Sequence, residues 1–505
     1  LARLAALCLT LLVALFLWLC ASSLSWRIEH DPPLLMYQGL LMDRFGLVPY
    51  RDFWDNNPPG TQLFHYFVGR TFGYSDAAVR LVDLGMLAIT LAATVRALSI
   101  LDWRAGVCAA AVWGLAYVSG GPGFQRDDVV LMLASLALAA AVGRWPAARR
   151  AFCIGLLLGI AASIKPPAAI VAPPLLAYVA AAAPEAAAAR GRLLRIGGLA
   201  ALGLVLPLLG VLLFLIRHAA LAPFLEMARG YWPLYTRLSG GLGTIQSPMF
   251  NLYSGYRVFG RLAPWLLPAA LGLFTALRVT RGDRERRRVV WLLVALAAAF
   301  LLYVGIQGKF FVYHWHPFWY CAIALAALSF LGLRDAGPPL MRVAPAAVVL
   351  VFVFGQLQLP RMVGRLARGE PRGAPKGGRV DELASFLKAS LRPGDTVQPL
   401  DWTGGVVHAM LIAEAEPATP FLYDFPFYHH VKAPYVFELR GRFLQAIRRA
   451  QPRFVIEVPG EDKPWVRGIE TTRAFNKLRR FLDANYLETA RRSGYVIYER
   501  RPASS

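Results

Sequence analysis

Cysteine is scarce. The five thiols among 505 residues are Cys8, Cys20, Cys108, Cys153 and Cys321. All lie inside apolar runs, with no CxxC or Cys/His spacing to hold zinc or an iron–sulfur cluster, so they read as buried thiols. No Walker box, GxSxG elbow or GxGxxG fingerprint occurs, which argues against nucleotide-driven transport. No internal repeat of about 20 to 50 residues is present, so a solenoid has no basis. Acidic side chains are also few, 31 against 54 Lys and Arg, for a formal charge of +23. Such an excess can mark a nucleic-acid binder. Here many arginines sit in short loops between apolar runs, where they set membrane orientation, and no compact basic domain carries interleaved aromatics. No nucleic-acid partner is expected.

Apolar length is what the chain has in abundance. Hydrophobic residues make up 57% and charged residues 17%, in runs of about 20 residues that match the hydrocarbon core of a bilayer. This predicts a mainly α polytopic membrane protein of about eleven transmembrane helices, near residues 4–24, 78–99, 105–119, 128–143, 151–164, 167–183, 196–216, 263–280, 289–306, 317–333 and 340–358. The first run, LAALCLTLLVALFLWLCASSL, is too long for a signal-peptide core and lacks a cleavage box, so it is read as the first membrane helix. Only IKPP separates the fifth and sixth. With a cytoplasmic N-terminus, the basic loops GRWPAARR, ARGRLLR and RVTRGDRERRR fall inside, as the positive-inside rule requires. Residues 25–77, 120–127, 217–262, 307–316 and everything after 359 then face outward. The expected location is a bacterial inner membrane, with the C-terminal domain periplasmic.

From about residue 378 the pattern changes to amphipathic helix, Pro-Gly turn and strand, and FLQAIRRAQPRFVIEVPG repeats it. The expected organisation is a transmembrane domain at 1–360 with a large first outer loop at 25–77, a Gly/Pro/Arg linker at 361–378, and a small soluble α/β domain at 379–505.

The first outer loop carries two acidic clusters. Glu29, His30 and Asp31 follow the first span directly, where a helix end fixes their depth near the membrane surface; Asp52 and Asp55 lie in RDFWDNNPPG. Between them, PLLMYQGLLMDRF has the periodicity of an interfacial helix. The Pro-Pro-Gly is expected to end the loop, with Tyr50, Phe53 and Trp54 docking it on bilayer or sugar. Each carboxylate also has the bland reading of a solvated loop acid. GGPGFQRDDVV places Arg126, Asp127 and Asp128 at a helix start. One acid suits an N-cap, and the spare one suits a substrate or a divalent cation, Mg or Mn, with Asp127 the candidate ligand. GIQGKFFVYHWHPFWY brings Lys309, Tyr313, His314 and His316 into a ring-lined outer loop, cations suited to a lipid-linked phosphate or, for the two histidines, to a metal. Lys165 at IKPP either snorkels or neutralises a phosphate, and the same alternatives apply to Arg229, Arg237 and Arg257.

Taken together, EHDPP with PYRDFWDNNPPG, the RDD loop and GKFFVYHWHP resemble the GT-C superfamily of integral-membrane glycosyltransferases, which includes protein O-mannosyltransferases and aminoarabinose transferases acting on lipid A. The resemblance covers most of the chain, the membrane part better than the tail. It implies transfer of a sugar from a polyprenyl-phosphate donor to a lipid, glycan or protein acceptor at the outer face, with inversion. Asp31 matches the first-loop aspartate that serves as base or orients the acceptor, with Asp52 second. Arg126, Asp127 and Asp128 match the second acidic loop; Lys309 and His314 match the donor-phosphate contacts. The competing classes are a secondary transporter and a non-catalytic envelope assembly protein. A carrier would show repeated halves with broken helices in corresponding positions, and none are seen.

Overall fold

The computed structural model describes residues 2–120, 123–182, 189–238, 265–334, 375–460, 474–492 and 494–502, with isolated positions at 343, 347, 364, 367, 368 and 463. The expected span at 340–358, Arg257 and most of the linker lie outside the described residues. The chain divides into two compact units. One comprises Leu1–Trp26, Arg80–Val211 and Tyr253–Pro371; the other comprises Arg27–Val79, Leu212–Leu252 and Arg372–Ser505.

In chain order the helices are α1 (Ala2–Ser23), α2 (Pro32–Arg44), α3 (Pro59–Phe72), α4 (Asp76–Leu98), α5 (Trp103–Gly120), α6 (Arg126–Ala141), α7 (Ala147–Ile164), α8 (Ala172–Ala181), α9 (Ala189–Arg217), α10 (Leu221–Thr236), α11 (Trp265–Val279), α12 (Arg284–Gln307) and α13 (His316–Ala327). Every expected span among the described residues coincides with helix. Among the described residues, five helical segments are long and apolar enough to cross a membrane: Asp76–Leu98, Ala147–Ile164, Arg190–Arg217, Arg284–Gln307 and Val312–Leu333. Val13–Ser23, Pro166–Ala181 and Trp265–Val279 are shorter apolar helices. Among the described residues, the helices that meet both criteria are fewer than the expected eleven.

Within the first unit, small residues set the helix spacing. Gly155 and Gly159 on α7 and Gly203 on α9 lie on the seam between those helices, where a Cβ would stand on the carbonyls of Ala200, Leu204 and Phe152. Backbones this close gain van der Waals contact that a larger side chain would abolish. The end of α7 is dictated by Pro166 and Pro167. A residue before proline is driven out of the α region, and Lys165 takes φ −142°, ψ 99° before a 3-10 turn, Pro166–Val171, leads into α8.

The second unit joins the first loop to the tail. Its sheet comprises β1 (Thr396–Leu400), β2 (Glu416–Pro417), β3 (Phe454–Glu457), β4 (Tyr486–Arg492) and β5 (Tyr495–Arg500) in the order β2-β1-β3-β5-β4. β1 is parallel to β2 and β3; β5 is antiparallel to β3 and β4. Helices α14 (Arg379–Ser390), α15 (Val406–Ala413), α16 (Pro434–Ala450) and α17 (Asn476–Asn485) accompany it. α16 buries Val436, Leu439, Phe443, Leu444 and Ile447, the three-and-four spacing of one helical face.

Three readings of the first loop are corrected. The helix between the acidic clusters forms, but it is buried from Pro32 to Leu41 rather than along one face, because α3 and α15 pack on it. Pro-Pro-Gly opens a helix instead of ending the loop: Pro58 is the N-cap of α3 and Pro59 its first residue, where the missing N–H costs nothing. Tyr50, Phe53 and Trp54 are buried inside the unit and face neither lipid nor solvent. The tail shares this unit with the first loop: Trp54 bridges in parallel to Phe421, and its N–H donates to the Pro420 carbonyl at 2.7 Å.

Candidate functional site

In the first unit, the start of α6 gathers most of the expected cations. Asp127 is fully buried and takes Lys165 Nζ at 2.6 Å on one oxygen and the Tyr303 hydroxyl at 2.7 Å on the other. Lys165 Nζ also donates to Gln307 Oε1 at 2.6 Å and lies 5.9 and 5.8 Å from the ring centres of Tyr303 and Tyr313. Side chains from three elements thus converge on one ammonium, which the proline break after α7 turns out of its helix. Asp128 is the capping acid of the pair: its side chain accepts from the Gln125 N–H at 2.9 Å, and its other oxygen lies 2.8 Å from His316 Nδ1. His314 is buried with no partner for Nδ1 among the described residues, and Arg126, Asp127, Lys165 and Lys309 are all within its electrostatic reach. Lys309 is buried in the loop before α13, and burial pushes its ammonium down to about 7. The RDD loop, Lys165 and the GKFFVYHWHP loop therefore come together within the first unit.

Asp127 answers the question of a cation. Both its oxygens are engaged by Lys165 and Tyr303, and among the described residues no three His, Cys, Asp or Glu side chains stand together as a ligand set. The donor set fits an internal ion pair rather than Mg or Mn, and we derive no step through a metal.

Sequence reasoning missed the layer beneath this cluster. Arg80 and Asp83 form a buried ion pair one turn apart on α4, and Arg80 also donates to Ser23 Oγ at 3.0 and 2.9 Å. Tyr117 donates to Asp83 and accepts from the Phe124 N–H at 3.2 Å, tying down the loop that starts α6. The signal was present: ionisable residues inside an apolar helix are rare and paired, and AVRLVDLG carries two.

In the second unit the first-loop acids have different fates. Asp31 is buried at the N-cap of α2, whose Leu35 N–H donates to its carbonyl at 3.1 Å. Asp52 closes its own turn, accepting from the Val48 N–H at 2.8 Å and from Arg51, which holds the carboxyl below its usual range. Asp55 is fully buried and accepts from Asn57 Nδ2 at 3.1 Å, from Gln62 and from the Tyr423 hydroxyl at 2.8 Å. Trp54 packs edge-on to Tyr231 at 5.0 Å, and Trp232 donates to the Asn56 carbonyl at 2.8 Å. Asp55, expected to bind substrate, is instead the polar centre of the junction between loop, α10 and tail.

Three solved structures share the fold of this chain. Over 97% of both chains the protein is similar to ArnT from Cupriavidus metallidurans in the apo state, with a TM-score of 0.56 at 16% identity. ArnT bound to undecaprenyl phosphate gives 0.56 at 14% identity over 98% of both chains. The arabinofuranosyltransferase AftD from mycobacteria matches 99% of this chain and 40% of its own, with a TM-score of 0.50 at 14% identity. No family model and no curated protein matches the sequence.

Proposed function

We propose that this chain is a membrane glycosyltransferase that moves a sugar from a polyprenyl-phosphate-linked donor to an acceptor hydroxyl at the outer face of a bacterial inner membrane, with inversion. The observation that carries this reading is end-to-end likeness to ArnT, a structure of which holds undecaprenyl phosphate. The chemistry asks for a base at the acceptor and positive charge at the leaving phosphate. Asp31 takes the acceptor proton. The acceptor oxygen attacks the anomeric carbon, and the bond to the phosphate oxygen breaks with its electron pair going to phosphate. Lys309, Arg126 and His314 stabilise that charge, while Asp127, Tyr303, Tyr313 and Gln307 hold Lys165 beside them.

The test is transfer of radiolabelled sugar from a polyprenyl-phosphate donor in membranes carrying wild type or Asp31→Asn. Loss of at least about a hundredfold is expected for a general base. Equal transfer by the two proteins removes Asp31 from the role. Proton- or sodium-coupled uptake into proteoliposomes, with no transfer, would instead support a carrier.

A further inference from the structure

We infer that the C-terminal tail sets the position of the catalytic loop, with His408 and Asp381 as positioning residues that act on Asp31 through Asp76 and Arg27. The inference rests on the transferase reading above, with Asp31 as the base, and gives the tail a task in catalysis. All of the residues concerned belong to the second unit.

No helix or strand ladder fixes the stretch from Arg27 to Asp31, and His30 within it takes φ 66°. A non-glycine residue keeps left-handed backbone only where its surroundings impose it. The hold comes from two sides. Downstream, the Asp31 carbonyl accepts from the Leu35 N–H at 3.1 Å and opens α2, which α3 and α15 bury. Upstream, the hold is Asp76, the first residue of α4. One of its oxygens accepts from the Ile28 N–H at 3.2 Å and lies 2.8 Å from His408 Nε2; the other accepts from Arg27 at 2.6 Å. A carboxylate can only accept, so His408 presents Nε2–H to it. Arg27 extends its other amino group to Asp381 of α14. Asp76 therefore holds both the backbone and a side chain at the start of the turn, and the tail supplies a donor to Asp76 and an acceptor to Arg27.

On the tail's side these two residues are themselves fixed. Asp401, directly after β1, accepts from the Gly404 and Val406 N–H groups at 2.9 and 3.1 Å, which sets the start of α15. His408 lies in the first turn of that helix and is buried. Past its far end, the Ala415 carbonyl accepts from the Tyr37 hydroxyl of α2 at 2.6 Å. One tail helix is thus fastened at its start to the entry of the turn and beyond its end to the helix that Asp31 begins. α14 packs on α15 and carries Asp381 in its own first turn. The path from the sheet to the base runs through Asp401, α15, His408, Asp76 and Ile28, and every hydrogen bond along it is buried or part-buried. Such a path matters for rate, because a displacement of about 1 Å at a reacting group can cost about a hundredfold.

The experiment uses the full chain carrying His408→Leu, His408→Gln or Asp381→Asn, and counts transfer of radiolabelled sugar per undecaprenyl-phosphate-binding site, so that misfolded molecules drop out. His408→Leu should lower turnover per site by at least about tenfold while donor affinity stays within about twofold of wild type, since the residues proposed for the phosphate lie in the other unit. His408→Gln keeps a donor for Asp76 and should recover to within about threefold of wild type; Asp381→Asn should lose about threefold, because Arg27 retains Asp76. Hydrogen exchange over residues 27–35, read by mass spectrometry, should quicken in His408→Leu and not in His408→Gln. Unchanged turnover per site in His408→Leu, donor affinity that falls as far as turnover, or exchange in the turn equal to wild type each overturns the proposal. If wild type transfers no sugar, the transferase reading fails, and the exchange comparison alone decides whether the tail holds the turn.

Discussion

Lys165 and Asp127 are 2.6 Å apart, 38 residues apart in sequence, and almost wholly buried. Breaking a buried pair leaves a charge without compensation, at a cost of about 3–5 kcal/mol, whereas removing both charges is far milder. Lys165→Met is therefore expected to unfold well below wild type, and Lys165→Met with Asp127→Asn to recover most of the loss. Thermal unfolding in detergent decides it, and a double variant no better than the single one would refute the pairing. With Asp127 engaged in this way, EDTA should leave sugar transfer unchanged.

Lys309 gives a pH dependence of definite sign. Its folded value of about 7 lies below an unfolded value of about 10.4, so the unfolded chain binds the extra proton and stability rises with pH between the two. Lys309→Met should accordingly raise the melting temperature most at or below about pH 7, with the gain fading toward about pH 10. Donor binding should move the other way. A phosphate beside Lys309 draws the proton back, so undecaprenyl-phosphate affinity weakens as pH climbs above about 7, and binding takes up a proton detectable by calorimetry in buffers of different ionisation enthalpy. Affinity that stays flat from about pH 6 to 9 would exclude Lys309 from the phosphate site.

Asp55 tests the reassignment of the first-loop box. Tyr423→Phe removes one donor from a buried carboxylate and should cost about 1–3 kcal/mol. Asp55→Asn should cost a similar amount while leaving donor KM near wild type in the folded fraction. A large rise in donor KM without loss of stability would return Asp55 to substrate binding.

Gly155→Leu should be strongly damaging to the first unit, because its Cβ stands on the Ala200 carbonyl. Overpacking against backbone costs about 1–3 kcal/mol or more. Gly197→Leu on α9, where a Cβ meets nothing, serves as control. Both are read by the yield of monodisperse protein; equal yields would show that the α7–α9 seam tolerates bulk.

Much of the membrane part was legible because apolar periodicity and length are local signals, and so were the tail's strands at 396–400 and 454–457. The RDD acids, Lys165 and Lys309 were legible as candidates, since cations and acids between apolar runs have few roles, but the pairing of Lys165 with Asp127 was not. What could not be read was partnership. Nothing near Asp55 in sequence announces Tyr423, and nothing near Arg27 announces Asp381. The aromatic box looked like a membrane dock because Tyr, Phe and Trp serve equally at an interface and in a core. α10 was hidden by Pro233, which sits inside the helix against the usual rule.

The bridge from Trp54 to Phe421 sets an order of events during synthesis. Ribosomes deliver Tyr423 long after the first loop, so that loop must wait, with one donor to Asp55 missing, while 368 further residues are made. Its closing clasp forms only once Phe421 and Tyr423 have been made, and a nascent chain halted before them leaves this junction open.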